Sequence, residues 1–515
     1  MSKQKLILIL SFLLILGIAS FFRLWKITSI PGGLFPDQAA NGLDVLLIFQ
    51  GHHTPFFERG LGREALFIYL QALSVKIFGI GVWQMHLVSA IVGILTVTVT
   101  FFLAKNLFNL RVAFLASFFL ATSSWHVTCS RTGFRAIMVP LMTTLFFYFA
   151  HLTFKETSEK KKKLFAILSG IALGLGFYTY ISFRAMVGII GILGLAILLF
   201  ERNFFKKFWR EIILGLISML LVITPLALYF IKHPGSFTGR AYYVSIFNPE
   251  RNQGDFWGTL FEVLKKTFLM FFTEGDLNWR HNVSGFPMLN FWVSGFFALG
   301  FLYSCWIILK KIFAKSDSNE YFKHLILIIW FLGMLVPEIL SAEGIPHGLR
   351  AIGAIPSVFF FPALIIDFFL QKINIKKIFL NVLLGIILLT SLGYDYYLYF
   401  GISANSPDFY YEYRSDLTVV SNYLNKRNLK EKTYLVLDEY SAQTPEFLTA
   451  KYHQPYILVD PAKVDQIQLR PGDEIVFTQS TIRDAKRFEI SHPEAKLTKR
   501  EFNRFNQEIM RVYSR

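Results

Sequence analysis

The chain has 515 residues, of which 54% are hydrophobic, 17% aromatic and only 17% charged. A soluble domain carries roughly a quarter of charged residues, so this composition excludes an ordinary soluble enzyme and puts most of the chain in lipid. The formal net charge of +17 falls mainly in short links between apolar runs, which reads as a topology signal; no nucleic-acid partner is expected.

A helix needs about 20 apolar residues to cross roughly 30 Å of hydrocarbon. About eleven runs approach that length: 6–22, 81–104, 112–128, 136–154, 164–181, 185–200, 212–231, 290–309, 325–341, 351–370 and 378–399. The first run has a basic start and an Ala19-Ser20 pair, and by its length it is expected to stay as a span. Basic links at Lys3 and Lys5, Lys105 and Arg111, Lys160 to Lys163, Arg202 to Arg210, Lys310 to Lys323 and Lys372 to Lys377 fall on one side, which the positive-inside rule makes cytoplasmic. The C-terminus is then outside, and the expected location is the cell membrane. Cys129 and Cys305 stand beside or within apolar runs with no CxxC and read as packing residues.

The same assignment puts the long links 23–80 and 232–289 outside, with shorter ones near 129–135 and 342–350. Residues Leu66 to Phe78 suit a helix lying on the membrane surface. Gly170, Gly174 and Gly176 fall in a span, where small residues let helices approach. From about 401 the chain changes character. Strand-like runs at Tyr434 to Leu437, Tyr456 to Val459 and Glu474 to Thr478 alternate with helical patterns near 416–426, 444–452 and 480–488. The expected organisation is a transmembrane domain, 1–400, followed by a small extracytoplasmic α/β domain, 401–515, without a phosphate-binding glycine loop.

The unusual polar residues lie in the external links. Asp37 follows two turn signals and precedes a helical stretch; it reads either as a helix cap, since its oxygen can accept from free backbone N–H groups, or as a catalytic carboxylate. Glu58, Arg59, Arg63 and Glu64 read as solvated ion pairs or as a charged site. Arg131 and Arg135 follow the third run, Asp276, Arg280 and His281 fall in the second long link, and His347 and Arg350 precede a late span. A single arginine at a helix end can snorkel toward lipid headgroups. Several converging at one level would suit a phosphate, because a guanidinium offers paired donors to phosphate oxygens.

These residues resemble a family: membrane-embedded glycosyltransferases of the C fold that use polyprenyl-phosphate sugars, especially the bacterial members akin to protein O-mannosyltransferases and lipid A aminoarabinose transferases. The resemblance covers most of residues 5–400. It rests on Asp37, on Gly62-Arg63-Glu64-Ala65-Leu66-Phe67-Ile68-Tyr69, and on His347-Gly-Leu-Arg350-Ala-Ile-Gly-Ala-Ile355-Pro356. The chain departs from the family pattern at Gln38, where an Asp-Glu pair is usual, and at Glu64-Ala65, where two prolines are usual. It also lacks a second acid after Arg135, which is followed by Ala-Ile-Met-Val-Pro.

The resemblance implies an inverting transfer of a hexose or pentose from a polyprenyl phosphate to a hydroxyl on a protein, lipid or glycan, outside the membrane. Asp37 would be the base, and Arg63, His347 and Arg350 would hold the donor phosphate. Arg131, Arg135, Asp276, Arg280 and His281 are candidates for the sugar or acceptor cavity. No cofactor is assigned, and a divalent metal is left open because the chain contains no Asp-x-Asp. Two competing readings are a transporter or flippase of lipid-linked sugars, which should show inverted halves or charges at mid-membrane, and a non-catalytic relative.

Overall fold

The computed structural model describes residues 3–201, 203–314, 320–373, 376–427, 431–453 and 455–515. Parts of the basic links 310–323 and 372–377 lie outside the described residues. The chain forms two compact units: residues 1–25, 54–67 and 89–403 in the first, and 26–53, 68–88 and 404–515 in the second.

Among the described residues, nine helices are long and apolar enough to cross a membrane, or ten if one bent pair counts as a single span. The difference from about eleven has two local causes. The run 112–128 is bent by 57° between Leu110–Thr122 and Ser124–Arg131, because Ser123 caps the second helix by accepting from the His126 N–H. The run 164–181 belongs to the helix Glu159–Gly176, whose first five residues are Glu159 and four lysines, which leaves a short apolar remainder. This helix packs on Asn203–Lys232 through its glycines. A Cβ at Gly170 would lie 2.0 Å from the Gly215 carbonyl, so the expected packing role of that position holds.

The first unit also contains a two-residue hairpin, β1 (Phe56–Phe57) against β2 (Arg63–Glu64), with Phe57 opposite Arg63 and Phe56 opposite Glu64. Helix Pro234–Val244 is tied to the segment after Glu320–Ile339 by an antiparallel bridge between Ser245 and Ser341. Two backbone bonds reinforce it, Ile246 N–H to Leu340 O at 3.0 Å and Ala342 N–H to Val244 O at 3.0 Å.

The second unit is built on a five-stranded sheet of β3 (Thr433–Val436), β4 (Ile457–Val459), β5 (Glu474–Thr478), β6 (Lys496–Phe502) and β7 (Glu508–Ser514), in the order β4-β3-β5-β7-β6. The first three strands run parallel, and β7 is antiparallel to both β5 and β6. Side chains alternate across the sheet. Leu435 and Val476 join Leu417, Val420 and Leu424 on one face, while Val436, Ile475 and Phe477 join Ala485 and Phe488 on the other. Each face is therefore covered by helix, and the alternation of the strand sequences sets which residues enter which core. The segment before helix Pro36–Phe49 belongs to this unit, and that helix packs along Glu439–Leu448.

Candidate active site

In the first unit, polar side chains from six separate stretches of the chain form two adjoining clusters. The first is centred on Tyr180. Arg135 lies over its ring at 5.2 Å and Arg240, from helix Pro234–Val244, at 5.7 Å. Arg135 Nε also donates to Glu64 Oε2 at 2.8 Å, and its Nη2 reaches the Gly62 carbonyl at 3.3 Å. Glu64 and Arg63 are both 4% exposed, so the residues that read as solvated ion pairs include a buried one. Arg63 folds back over the turn that precedes it. A Cβ at Gly60 would sit 2.6 Å from Arg63 Nη2, and Gly60 has φ +61, which glycine adopts without steric cost.

The second cluster joins the link 273–290 to the link 340–350. Asp276 Oδ2 accepts from His281 Nδ1 at 2.8 Å and from the Gly348 N–H at 2.7 Å, while its Oδ1 accepts from the Asn278 N–H at 2.8 Å. The His281 and His347 rings stack with centroids 4.4 Å apart. Glu338, fully buried, accepts from the His347 N–H at 2.9 Å. Arg350 pairs with Glu343 at 2.7 Å. Burial first, then the neighbouring His281 and the charges of Arg350, Arg240 and Arg280, hold the His347 imidazole well below its ordinary range and keep it neutral. Arg240 therefore belongs to both neighbourhoods, over Tyr180 and within electrostatic reach of His347.

Asp276, His281 and His347 each offer a ligand atom, and these atoms lie within 4.8 Å of one another. The donor set, one carboxylate and two imidazoles, suits a borderline cation such as zinc. His347 Nδ1 is buried without a hydrogen-bond partner, as a ligand nitrogen would be before it binds.

Arg131 is fully buried with different partners. Its Nε donates to the Tyr399 hydroxyl at 3.1 Å, Nη1 to the Phe22 carbonyl at 3.1 Å and Nη2 to the Trp25 carbonyl at 2.8 Å, which ties the end of Ser124–Arg131 to the first helix. Arg280 bonds Asn278 Oδ1 at 3.1 Å. Arg184 lines an apolar cleft of about 470 Å³ together with Phe177, Val187, Leu226, Phe230 and Ile231.

Asp37 lies in the second unit, exposed, in the first turn of Pro36–Phe49. The cap residue of that helix is Phe35, so the alternative of an Asp37 cap is corrected; Pro36, with no N–H to lose, opens the helix. Gln38, where the resemblance would have a second acid, is fully buried. Its Oε1 lies 3.0 Å from His86 Nε2 and accepts from the Phe35 N–H at 3.3 Å.

Sequence reasoning missed Arg240 and Glu338. Glu338 carried a usable signal, an acid inside an apolar helix. Arg240 carried none, because its meeting with Tyr180 depends on how separate elements fold together.

Residues 65–229 match the family model described as dolichyl-phosphate-mannose-protein mannosyltransferase. No curated protein matches the chain at a significant level. Among solved structures, the chain is similar to ArnT from Cupriavidus metallidurans bound to undecaprenyl phosphate, with TM-score 0.61 and 13% identity over 99% of this chain and 98% of that one. It is also similar to the Archaeoglobus fulgidus oligosaccharyltransferase in complex with Zn and sulfate, with TM-score 0.54 and 11% identity over 98% of this chain and 73% of that one. A third similar structure is AglB from the same organism in complex with an inhibitory peptide and a dolichol-phosphate, with TM-score 0.53 and 13% identity over 99% of this chain and 74% of that one. The chain is a multi-pass membrane protein with the fold of the C-type membrane glycosyltransferases.

Proposed function

We propose that the chain transfers a sugar, with inversion, from a polyprenyl phosphate to an acceptor hydroxyl on the extracytoplasmic side. The observation that carries this reading is the cluster around Tyr180, where Arg135 and Arg240 share one ring within 6 Å and Arg135 pairs with the buried Glu64, the neighbour of Arg63 in the hairpin. A lipid phosphate becomes a good leaving group once its developing charge is met by fixed donors, so no carboxylic acid is needed on the leaving side. The apolar cleft beside Arg184 is of a size and character to take part of an isoprenoid chain, with the arginine toward the phosphate.

In this reading the acceptor oxygen attacks the anomeric carbon, the bond from that carbon to the phosphate oxygen breaks, and the electron pair leaves with the polyprenyl phosphate. Asp37 takes the acceptor proton, a role proposed from the resemblance. Arg63 is assigned the leaving phosphate, with His347 and Arg350 as further contacts, and His347, being neutral, would contribute a hydrogen bond and not a charge. Arg135, Arg280, Asp276 and His281 are assigned to the sugar or acceptor cavity, as is Arg131, which hydrogen-bonds Tyr399, Phe22 and Trp25. If a divalent ion binds, Asp276, His281 and His347 would hold it and it would supply further positive charge. The acceptor is a protein, lipid or glycan hydroxyl.

The test is to incubate detergent-purified protein with a polyprenyl-phosphate sugar and follow the free polyprenyl phosphate released. Release that requires Arg63 and Asp37 supports the reading, and no release with any acceptor class favours a non-catalytic relative.

A further inference from the structure

The second unit holds the Asp37 loop at more points than its fold requires. Gly33 lies so close to the backbone that a Cβ there would be 2.3 Å from the Tyr413 carbonyl and 2.6 Å from the Ser415 nitrogen. Thr444 Oγ1 donates to the Leu34 carbonyl at 2.9 Å in a buried bond. The Phe35 ring meets the Tyr440 ring edge-on at 6.0 Å. A Cβ at Gly42 would touch the Phe447 ring at 2.6 Å. Finally, the Tyr440 hydroxyl donates to Asp37 Oδ1 at 3.1 Å.

Tyr440, Thr444 and Phe447 are spaced i, i+4, i+7, which places them on one face of the helix Glu439–Leu448. Asp438 caps that helix by accepting from the Ser441 N–H at 2.8 Å, so Tyr440 is set in its first turn. Thr444 and Phe447 are fully buried and do the packing, whereas Tyr440 is 48% exposed and contributes little of it. An exposed tyrosine whose hydroxyl is directed at one carboxylate is poorly explained by stability alone.

From this juxtaposition we infer that Tyr440 is a positioning residue for the transfer, holding Oδ1 of Asp37 so that Oδ2 is presented to the acceptor, and that the helix Glu439–Leu448 is the bracket for the catalytic loop. The inference rests on the reading of Asp37 as the base. Asp37 is itself exposed on the first turn of a helix whose neighbouring residues Pro36, Gln38 and Ala39 are buried, so its side chain points away from that packing. The helix dipole acts along the axis and does not fix the direction of the carboxylate. One hydrogen bond to a charged group fixes it.

The experiment uses the full chain in proteoliposomes and compares wild type with Tyr440→Phe, Asp37→Asn, Asp37→Glu and the Asp37→Glu/Tyr440→Phe double variant. The readouts are kcat, donor KM, binding of polyprenyl phosphate and Tm. Tyr440→Phe is expected to lower kcat roughly tenfold, the scale of one hydrogen bond to a charged group, with Tm, donor KM and lipid-phosphate binding unchanged. In the Asp37→Glu background, where the carboxylate is displaced, the same change should cost little, because residues acting through one another are non-additive. Full turnover by Tyr440→Phe while Asp37→Asn is inactive would overturn the positioning role and leave the base reading standing. An equal loss in both backgrounds also overturns it, since Tyr440 would then act independently of Asp37. Near-normal turnover by Asp37→Asn overturns the base reading itself, and the inference with it.

Discussion

Arg135 Nε and Glu64 Oε2 are 2.8 Å apart, and the two side chains are 9% and 5% exposed. The pair links the short β1–β2 hairpin, which also carries Arg63, to the turn Arg135–Ile137 beside Tyr180. A buried pair is a weak source of net stability, but removing one partner strands the other charge away from water. Glu64→Ala is therefore expected to lower stability by about 3–5 kcal/mol, read as a fall in Tm of the detergent-solubilised protein. Replacing both residues by apolar ones of similar volume should restore much of it while lowering activity. An unchanged Tm in Glu64→Ala would mean that the pair is not formed in the folded protein.

Arg63→Ala should raise the donor KM and slow turnover more than it lowers Tm, because its assigned work is at the phosphate. Lysine at this position should recover part of the activity, since it keeps the charge but loses the paired donors. Unchanged donor kinetics in Arg63→Ala would move the phosphate contact to Arg350 or His347.

Asp37→Asn should express normally, bind lipid phosphate and lose about 10²- to 10⁴-fold in turnover, the usual contribution of a general base. Since Phe35 and not Asp37 occupies the cap position, little stability should be lost. Turnover close to wild type at saturating donor and acceptor would return the base assignment to another external carboxylate, with Glu343 among those to be examined.

A reporter fused after Arg515 should be active outside the cytoplasm, and one inserted within Lys160 to Lys163 should be active inside, as the distribution of basic links requires. A cytoplasmic C-terminus would overturn the side assigned to every proposed site residue.

Most of the fold was legible because hydropathy and charge are local. The basic links and the long apolar runs need no tertiary information, and neither do the alternating strands β3, β4 and β5. The hairpin of β6 and β7 was missed because β6, Lys496–Phe502, is mostly exposed and charged and so shows no apolar alternation. The bend at Ser123 was written in the sequence as a cap residue inside an apolar run, but run length outweighed it. The site was less legible. Asp276, His281 and His347 could be named from their types and side, yet their convergence within 4.8 Å depends on two links far apart in sequence. Glu64 read as solvated because burial of a charge is decided by its partner, and Arg135 lies on a different element.

The central claim is chemical, transfer with release of the lipid phosphate, and it is tested most directly in proteoliposomes carrying a sugar-labelled polyprenyl-phosphate donor in one leaflet. Free polyprenyl phosphate should accumulate in step with labelled acceptor, and Arg63→Ala and Asp37→Asn should suppress both together. Labelled donor crossing the bilayer intact, with no polyprenyl phosphate released, would contradict it and identify a transporter of lipid-linked sugars.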